Sequence, residues 1–195
     1  MSLAIPNPSL VPAALAREPG ALDALAEAWL PHVYRWCHRL GGPSLDAEDA
    51  AHEALIVMCR RLDSVNSPAV FQSWLFNICR KIIANQRKRA WFKRWVPGAA
   101  VREQEFAGWG PDRSLEARRA AVMVWKVLER LPESQREVLV LVELEERTNA
   151  ETAELLNIPT GTVKSRLRAA REAFRRDLQR ITPHPSNAAP SAKVS

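Results

Sequence analysis

Cysteine, histidine and long apolar runs are all scarce in this chain of 195 residues. Its three cysteines, Cys37, Cys59 and Cys79, are odd in number and scattered. That argues against a disulfide framework and a zinc site, and fits a reducing, cytoplasmic location. The four histidines stand in no metal-ligand spacing. No apolar run approaches the roughly 20 residues that a membrane-spanning helix needs. The N-terminus lacks a basic start and is broken by Pro6, Pro8 and Pro12, so it does not read as a signal peptide. Alternating strand patterns and internal repeats are missing as well. No nucleophile, acid–base pair or metal set gathers anywhere, so neither catalysis nor a metal or cofactor is expected. What is present is an ordinary apolar share of 47% and a net charge of 28 − 22 = +6.

Proline and glycine divide the chain. Residues 1–20 read as a disordered tail, 96–114 as a flexible linker and 182–195 as a second disordered tail. The two blocks between them, 21–95 and 115–181, carry apolar residues at helix spacing. The expected fold is all-α, with two small helical domains on a flexible tether.

In the first block, Leu22, Leu25, Trp29, Val33, Trp36 and Leu40 trace one helix face, with Pro31 as a point of kinking. Asp46 is placed to cap a second helix, and Glu48 and Asp49 fall in its first turn, where the dipole favours negative charge. After a loop from Asp63 to Pro68, Phe71, Trp74, Leu75, Ile78 and Ile82 mark a third helix ending near Trp95. In the second block, helices are expected over 115–130 and 133–145. Asn149 is placed to cap a short helix, Asn157–Ile158–Pro159 to make a tight turn and Thr160 to cap a last long helix. Short helix, turn and longer helix make a helix-turn-helix pattern.

Charge is sorted by segment. From Ser64 to Arg102 there is no Asp or Glu, against eight Lys and Arg, with Trp74, Phe76, Trp91, Phe92 and Trp95 interleaved. Such a helix suits nucleic acid, since cations neutralise phosphates and aromatic rings stack on unpaired bases. Phe71 and Trp74, on the apolar stripe, read as core. On the last helix, Lys164, Arg168, Arg171 and Arg175 follow at four, three and four residues, one continuous stripe. Base contacts come from the first turns of a recognition helix, which selects Lys164, Ser165 and Arg168. Arg166, Arg171 and Arg175 suit phosphates. The second helix is the opposite: Asp46, Glu48, Asp49 and Glu53 occur between Leu40 and Cys59 with no Lys or Arg. Asp46, Asp49 and Glu53 share one face, which DNA would repel. Water or a basic protein partner fits it equally well. His52 lies beside it and reads as a surface histidine.

The run Asp46-Ala-Glu-Asp-Ala-Ala-His-Glu, then Arg60-Arg-Leu-Asp, then Phe71-Gln-Ser-Trp-Leu, resembles region 2 of extracytoplasmic-function (ECF) sigma factors. Leu131-Pro-Glu-Ser-Gln-Arg-Glu-Val-Leu, followed by Ala153 to Leu167, is similar to their region 4. The resemblance covers both blocks in order. It implies a non-catalytic protein that binds core RNA polymerase and reads two promoter elements. Asp46, Asp49, His52 and Glu53 would dock on the β′ clamp helices, and region 4 on the β flap. Ser64, Val65, Asn66 and Ser67 would capture a flipped base of the −10 element, with Asn77, Arg80, Lys81, Arg87 and Lys88 along the separated strand and upstream duplex. Thr162, Lys164, Ser165, Arg166, Arg168, Arg171 and Arg175 would hold the −35 element. An anti-sigma factor, often membrane-bound in the family, is a further implied partner.

Four departures from the family pattern stand out. His52 replaces a usual Gln, Lys81 and Asn85 replace Asn and Asp, and Ala169 replaces a frequent Arg. The last implies a shifted −35 preference. A rival reading is a stand-alone, dimeric helix-turn-helix regulator. The second block alone permits it, but the first offers no ligand pocket or phosphoacceptor signature.

Overall fold

A computed structural model describes residues 6–95 and 115–181. The linker at 96–114 and the tail at 182–195 lie outside the described residues, as do the side chains of Trp91 and Trp95. Eight α-helices make up the described residues, with no strand among them: α1 (Leu10–Leu15), α2 (Ala21–Gly41), α3 (Ala47–Arg61), α4 (Phe71–Trp95), α5 (Leu115–Leu128), α6 (Glu133–Leu139), α7 (Asn149–Leu156) and α8 (Thr160–Ile181). The all-α expectation is met.

Part of the N-terminal tail is ordered. Helix α1 buries Val11 and Ala14 against α2, which corrects the expectation of disorder across residues 1–20. Proline misled that reading. Pro12 lies in the first turn of α1, where a missing N–H breaks no intrahelical bond. Pro31 does not split α2.

The first block is a three-helix core built by α2, α3 and α4. The α2 stripe read from the sequence is buried at Leu25, Trp29, Val33, Trp36, Cys37 and Leu40. Trp29 meets Phe71 edge-on at 5.3 Å, and Trp36 meets Phe76 at 5.2 Å and 87°. These T-shaped pairs align ring edges with ring faces, as the aromatic quadrupole prefers. Small residues Ala50, Ala51 and Ala54 let α3 approach α2 closely. Phe76, counted in the sequence among the aromatics flanking the basic face, is fully buried.

The second block packs α5, α6 and α7 around α8, which buries Val163, Leu167 and Ala170. The helix expected to run to Glu145 stops being α-helical after Leu139 and continues as one wider π turn over Val140–Leu144. That turn places Val140 and Leu141 in the core.

The two blocks touch. Their buried apolar residues form one continuous cluster, and α4 lies against α7. Trp125 of α5 covers Gly42 at the end of α2. Gly42 has φ +70° and ψ −171°, a region essentially reserved for glycine. A Cβ there would sit 2.6 Å from Trp125 Cε3. Gly42→Ala is therefore expected to cost about 1–3 kcal/mol from backbone strain alone, with the clash adding to it. Urea unfolding of the two proteins measures it, and an unchanged midpoint would refute it.

Candidate partner-binding and nucleic-acid surfaces

Asp46 starts α3 as the sequence predicts. Its Oδ1 accepts the N–H groups of Glu48 and Asp49, both at 3.0 Å. With the alanine face turned inward, Asp49, His52 and Glu53 are left exposed together with Asp46 and Glu48. Neither Asp49 nor Glu53 has an ion-pair partner among the described residues. Ile56 is 52% exposed, three residues beyond Glu53 on the same side of the helix. The sequence reading missed it. An outward apolar residue at the i+3 position from an acidic stripe was the available signal.

The loop before α4 is tighter than expected, with 3₁₀ turns at Leu62–Ser64 and Pro68–Val70. Val65 is buried and so cannot present its side chain to a base. Ser64 Oγ donates to Arg61 O at 2.7 Å, and Ser67 Oγ accepts from Ala69 N at 3.3 Å. Asn66 is exposed, and its amide makes no hydrogen bond to the described residues. Of the three polar loop candidates, it is the one whose side chain makes no hydrogen bond among the described residues.

Along α4 the cations divide. Lys81, Lys88 and Arg89 are exposed, as is Asn85. Arg80 is held by Glu137 of α6, with Nε to Oε1 at 2.8 Å and Nη2 to Oε2 at 2.6 Å, and its Nη1 donates to Asn77 Oδ1 at 2.8 Å. Arg87 bends inward. Its Nη2 donates to the carbonyls of Leu40 and Gly41 at 3.1 and 2.9 Å, satisfying the C-terminal end of α2. Burial, with Arg136 nearby, lowers its pKa to about 10, so it stays charged at neutral pH. In this arrangement Arg87 is a capping group, not a phosphate ligand, which corrects its placement on the DNA face.

In the second block, Thr148 rather than Asn149 caps α7. Its hydroxyl accepts from Glu151 N, while the Glu151 carboxylate accepts from Thr148 N, a reciprocal capping box. Those hydrogen bonds from the Thr148 backbone and side chain hold the Glu151 carboxyl below its usual pKa. Asn157 closes α7 in the left-handed region at φ 53° and ψ 50°. Thr160 is the first residue of α8 rather than its cap. The turn is as short as the sequence pattern predicts.

Helix α8 turns Lys164, Ser165, Arg168, Arg171 and Arg175 outward, with Thr162, Arg166 and Ala169 half-buried. Ser165 Oγ is turned back to Thr162 O at 3.0 Å. Arg168 Nε contacts Glu172 Oε1 at 3.2 Å, an exposed pair of little energetic weight. Arg171 is gripped by Glu143 at 2.6 and 2.9 Å. A cleft of about 420 Å³ runs along this face, bounded by Asn149, Lys164, Arg168, Arg171 and Arg175. A second groove of about 290 Å³ shares Arg171 and Arg175 with that cleft and is otherwise lined mainly by apolar side chains, among them Val124, Leu128, Leu139, Leu144 and Phe174, together with Glu143.

Two recognised sequence families match this arrangement. Residues 25–102 match the family model of Sigma-70 region 2, and residues 121–174 that of Sigma-70, region 4. The ECF RNA polymerase sigma factor SigW of Bacillus subtilis is 29% identical over 171 residues, covering 82% of this chain and 91% of that protein. The fold is similar to that of CnrH in its complex with the cytosolic domain of CnrY, with a TM-score of 0.61 and 20% identity over 90% of this chain and 98% of that one. It is also similar to RpoE of Bartonella quintana, solved with the anti-sigma factor NepR, with a TM-score of 0.57 and 22% identity over 83% and 98% of the two chains. With regions 2 and 4 in order on the two helical blocks, the chain belongs to the sigma-70 family and is a sigma factor of the ECF type, directing transcription initiation.

Proposed function

We propose that this sigma factor binds core RNA polymerase through the outward face of α3 and reads promoter DNA with α4 and α8. The observation that carries this is the separation of charge. An exposed acidic face with no cation on its helix before Arg60 stands on one helix, and two exposed cationic faces stand on others. Asp46, Asp49, His52, Glu53 and Ile56 form the surface for the β′ clamp helices. The apolar groove edged by Leu128 and Phe174 is offered to the β flap. Asn66 captures the unpaired −10 base, whose unstacking costs a few kcal/mol. Lys81 and Lys88 follow the strand, and Lys164 and Arg168 read the −35 element in the major groove. Polymerase holds both readers at fixed spacing, so the second contact becomes intramolecular and gains effective concentration. An inhibitory protein partner is consistent with the two neighbouring folds, both solved in complexes.

Run-off transcription with purified core enzyme on genomic fragments tests the reading. Promoter-specific transcripts are expected with no added factor. A homodimer that ignores polymerase in pull-down and gives no transcript would instead establish a stand-alone regulator.

A further inference from the structure

A cavity of about 310 Å³, at the lower end of the range for small-molecule sites, is lined by both blocks. Ser44 reaches it from the turn after α2, Arg87 and Lys88 from α4, and Glu129, Glu133 and Arg136 from the second block. Arg136 is only 7% exposed, yet its guanidinium makes no hydrogen bond or ion pair among the described residues. Buried charged groups ordinarily find such partners. Glu129, Glu133 and Glu137 attract Arg136 from a distance, but Glu137 is held by Arg80 and Glu129 takes the Ser44 hydroxyl at 2.8 Å. Arg87 caps α2 through Nη2, while its Nε is buried with no acceptor among the described residues. The two guanidinium charges oppose each other across this wall. The cavity therefore has an excess of unanswered positive charge on one part of its lining and two acceptor-only carboxylates on another.

We propose that this cavity binds a small phosphomonoester carrying hydroxyl groups, with its phosphate on Arg136 and Lys88 and its hydroxyls donated to Glu129 and Glu133. Arg87 remains the cap of α2 and adds its charge to the field at the phosphate. A guanidinium fork matches two phosphate oxygens, and an ammonium serves a third as a point charge. The carboxylates repel a polyphosphate or a nucleic-acid strand, whose charges repeat. A single phosphate with hydroxyl donors satisfies both parts of the lining. The site does not depend on how α4 and α8 read a promoter; only Lys88 is common to the two assignments.

Calorimetric titration of the full chain in phosphate-free buffer is the test. Inorganic phosphate is expected to bind with a Kd of about 1 mM, and ribose 5-phosphate about tenfold more tightly, the ratio reporting the hydroxyl contacts. Arg136→Lys keeps the charge but loses the fork, and should weaken both about tenfold. Arg136→Gln should abolish both. Glu133→Ala, at an exposed position, is expected to cut the preference for ribose 5-phosphate to about threefold. Glu27→Ala, exposed on α2, should leave that preference unchanged. Because Arg136 is buried, circular dichroism checks that its variants fold, and the ratio in Glu133→Ala decides alone if they do not. Four results overturn the site: no saturable binding of ribose 5-phosphate up to about 20 mM, equal affinity for the two compounds, full affinity in folded Arg136→Gln, or a preference that Glu133→Ala leaves intact. If a mixed-sequence single-stranded 20-mer binds through Arg136 and ribose 5-phosphate does not, the wall belongs to the nucleic-acid surface instead.

Discussion

Reversing Asp49 and Glu53 to lysine is expected to lower the affinity for core RNA polymerase at least a hundredfold, while binding of duplex DNA by region 4 is unchanged. Both side chains are exposed on α3 and have no ion-pair partner among the described residues, so little of the described structure depends on them. Surface changes of this kind usually move stability by under about 0.5 kcal/mol, with a few tenths added for a lysine near the helix N-terminus. Like charges forced together across an interface cost several kcal/mol, and about 1.4 kcal/mol is a factor of ten. Asp46 is the less clean choice. Its carboxylate caps α3, so Asp46→Lys would also cost about 1 kcal/mol of fold stability. Fluorescence anisotropy with labelled chain measures core affinity, and a gel shift on −35 duplex measures the other activity. If both fall together, or core affinity holds, the division of labour between α3 and α8 is wrong.

The second large effect concerns α8, where two kinds of arginine are expected to behave differently. Lys164→Ala and Arg168→Ala remove side chains from the first turns, and each should cost about 1–3 kcal/mol on the cognate −35 sequence but much less on a scrambled one. Arg175→Ala should weaken both sequences equally and lower the slope of log K against log salt by about one. Arg171 is restrained by Glu143, so Glu143→Gln should strengthen binding to both sequences alike. Salt titrations on the two duplexes separate these outcomes. Equal losses on both sequences for Lys164→Ala and Arg168→Ala would place them on phosphates rather than bases.

Local patterns in the sequence were informative where the physics is local. Asp46 caps α3 because an acid two residues before a helical Glu–Asp pair can accept their N–H groups. The stripe from Lys164 to Arg175 lies on one face because the spacing is that of the helix. The alanines and Met58 of α3 turn inward, which fixes the outward position of the acids. At α7 the cap expected at Asn149 overlooked the run Thr148-Asn-Ala-Glu151, which carries the spacing of a capping box. Thr148 took the cap from Asn149 because Glu151 lies where the reciprocal bond can form. The helix α1 was hidden by its proline, although Val11 and Ala14 had an apolar surface on α2 to bury against.

By itself, then, the order of residues determined the helices, their inner faces and the sign of charge each one carries outward, because helix periodicity and capping act over three or four positions. Only the tertiary structure decided which cations remain available. The acceptors that claim Arg80 and Arg87 come from 57, 47 and 46 positions away in the chain, at Glu137, Leu40 and Gly41. A run of positive charge reads as a phosphate surface until a distant carboxylate or carbonyl is packed against it, and no local pattern contains that packing.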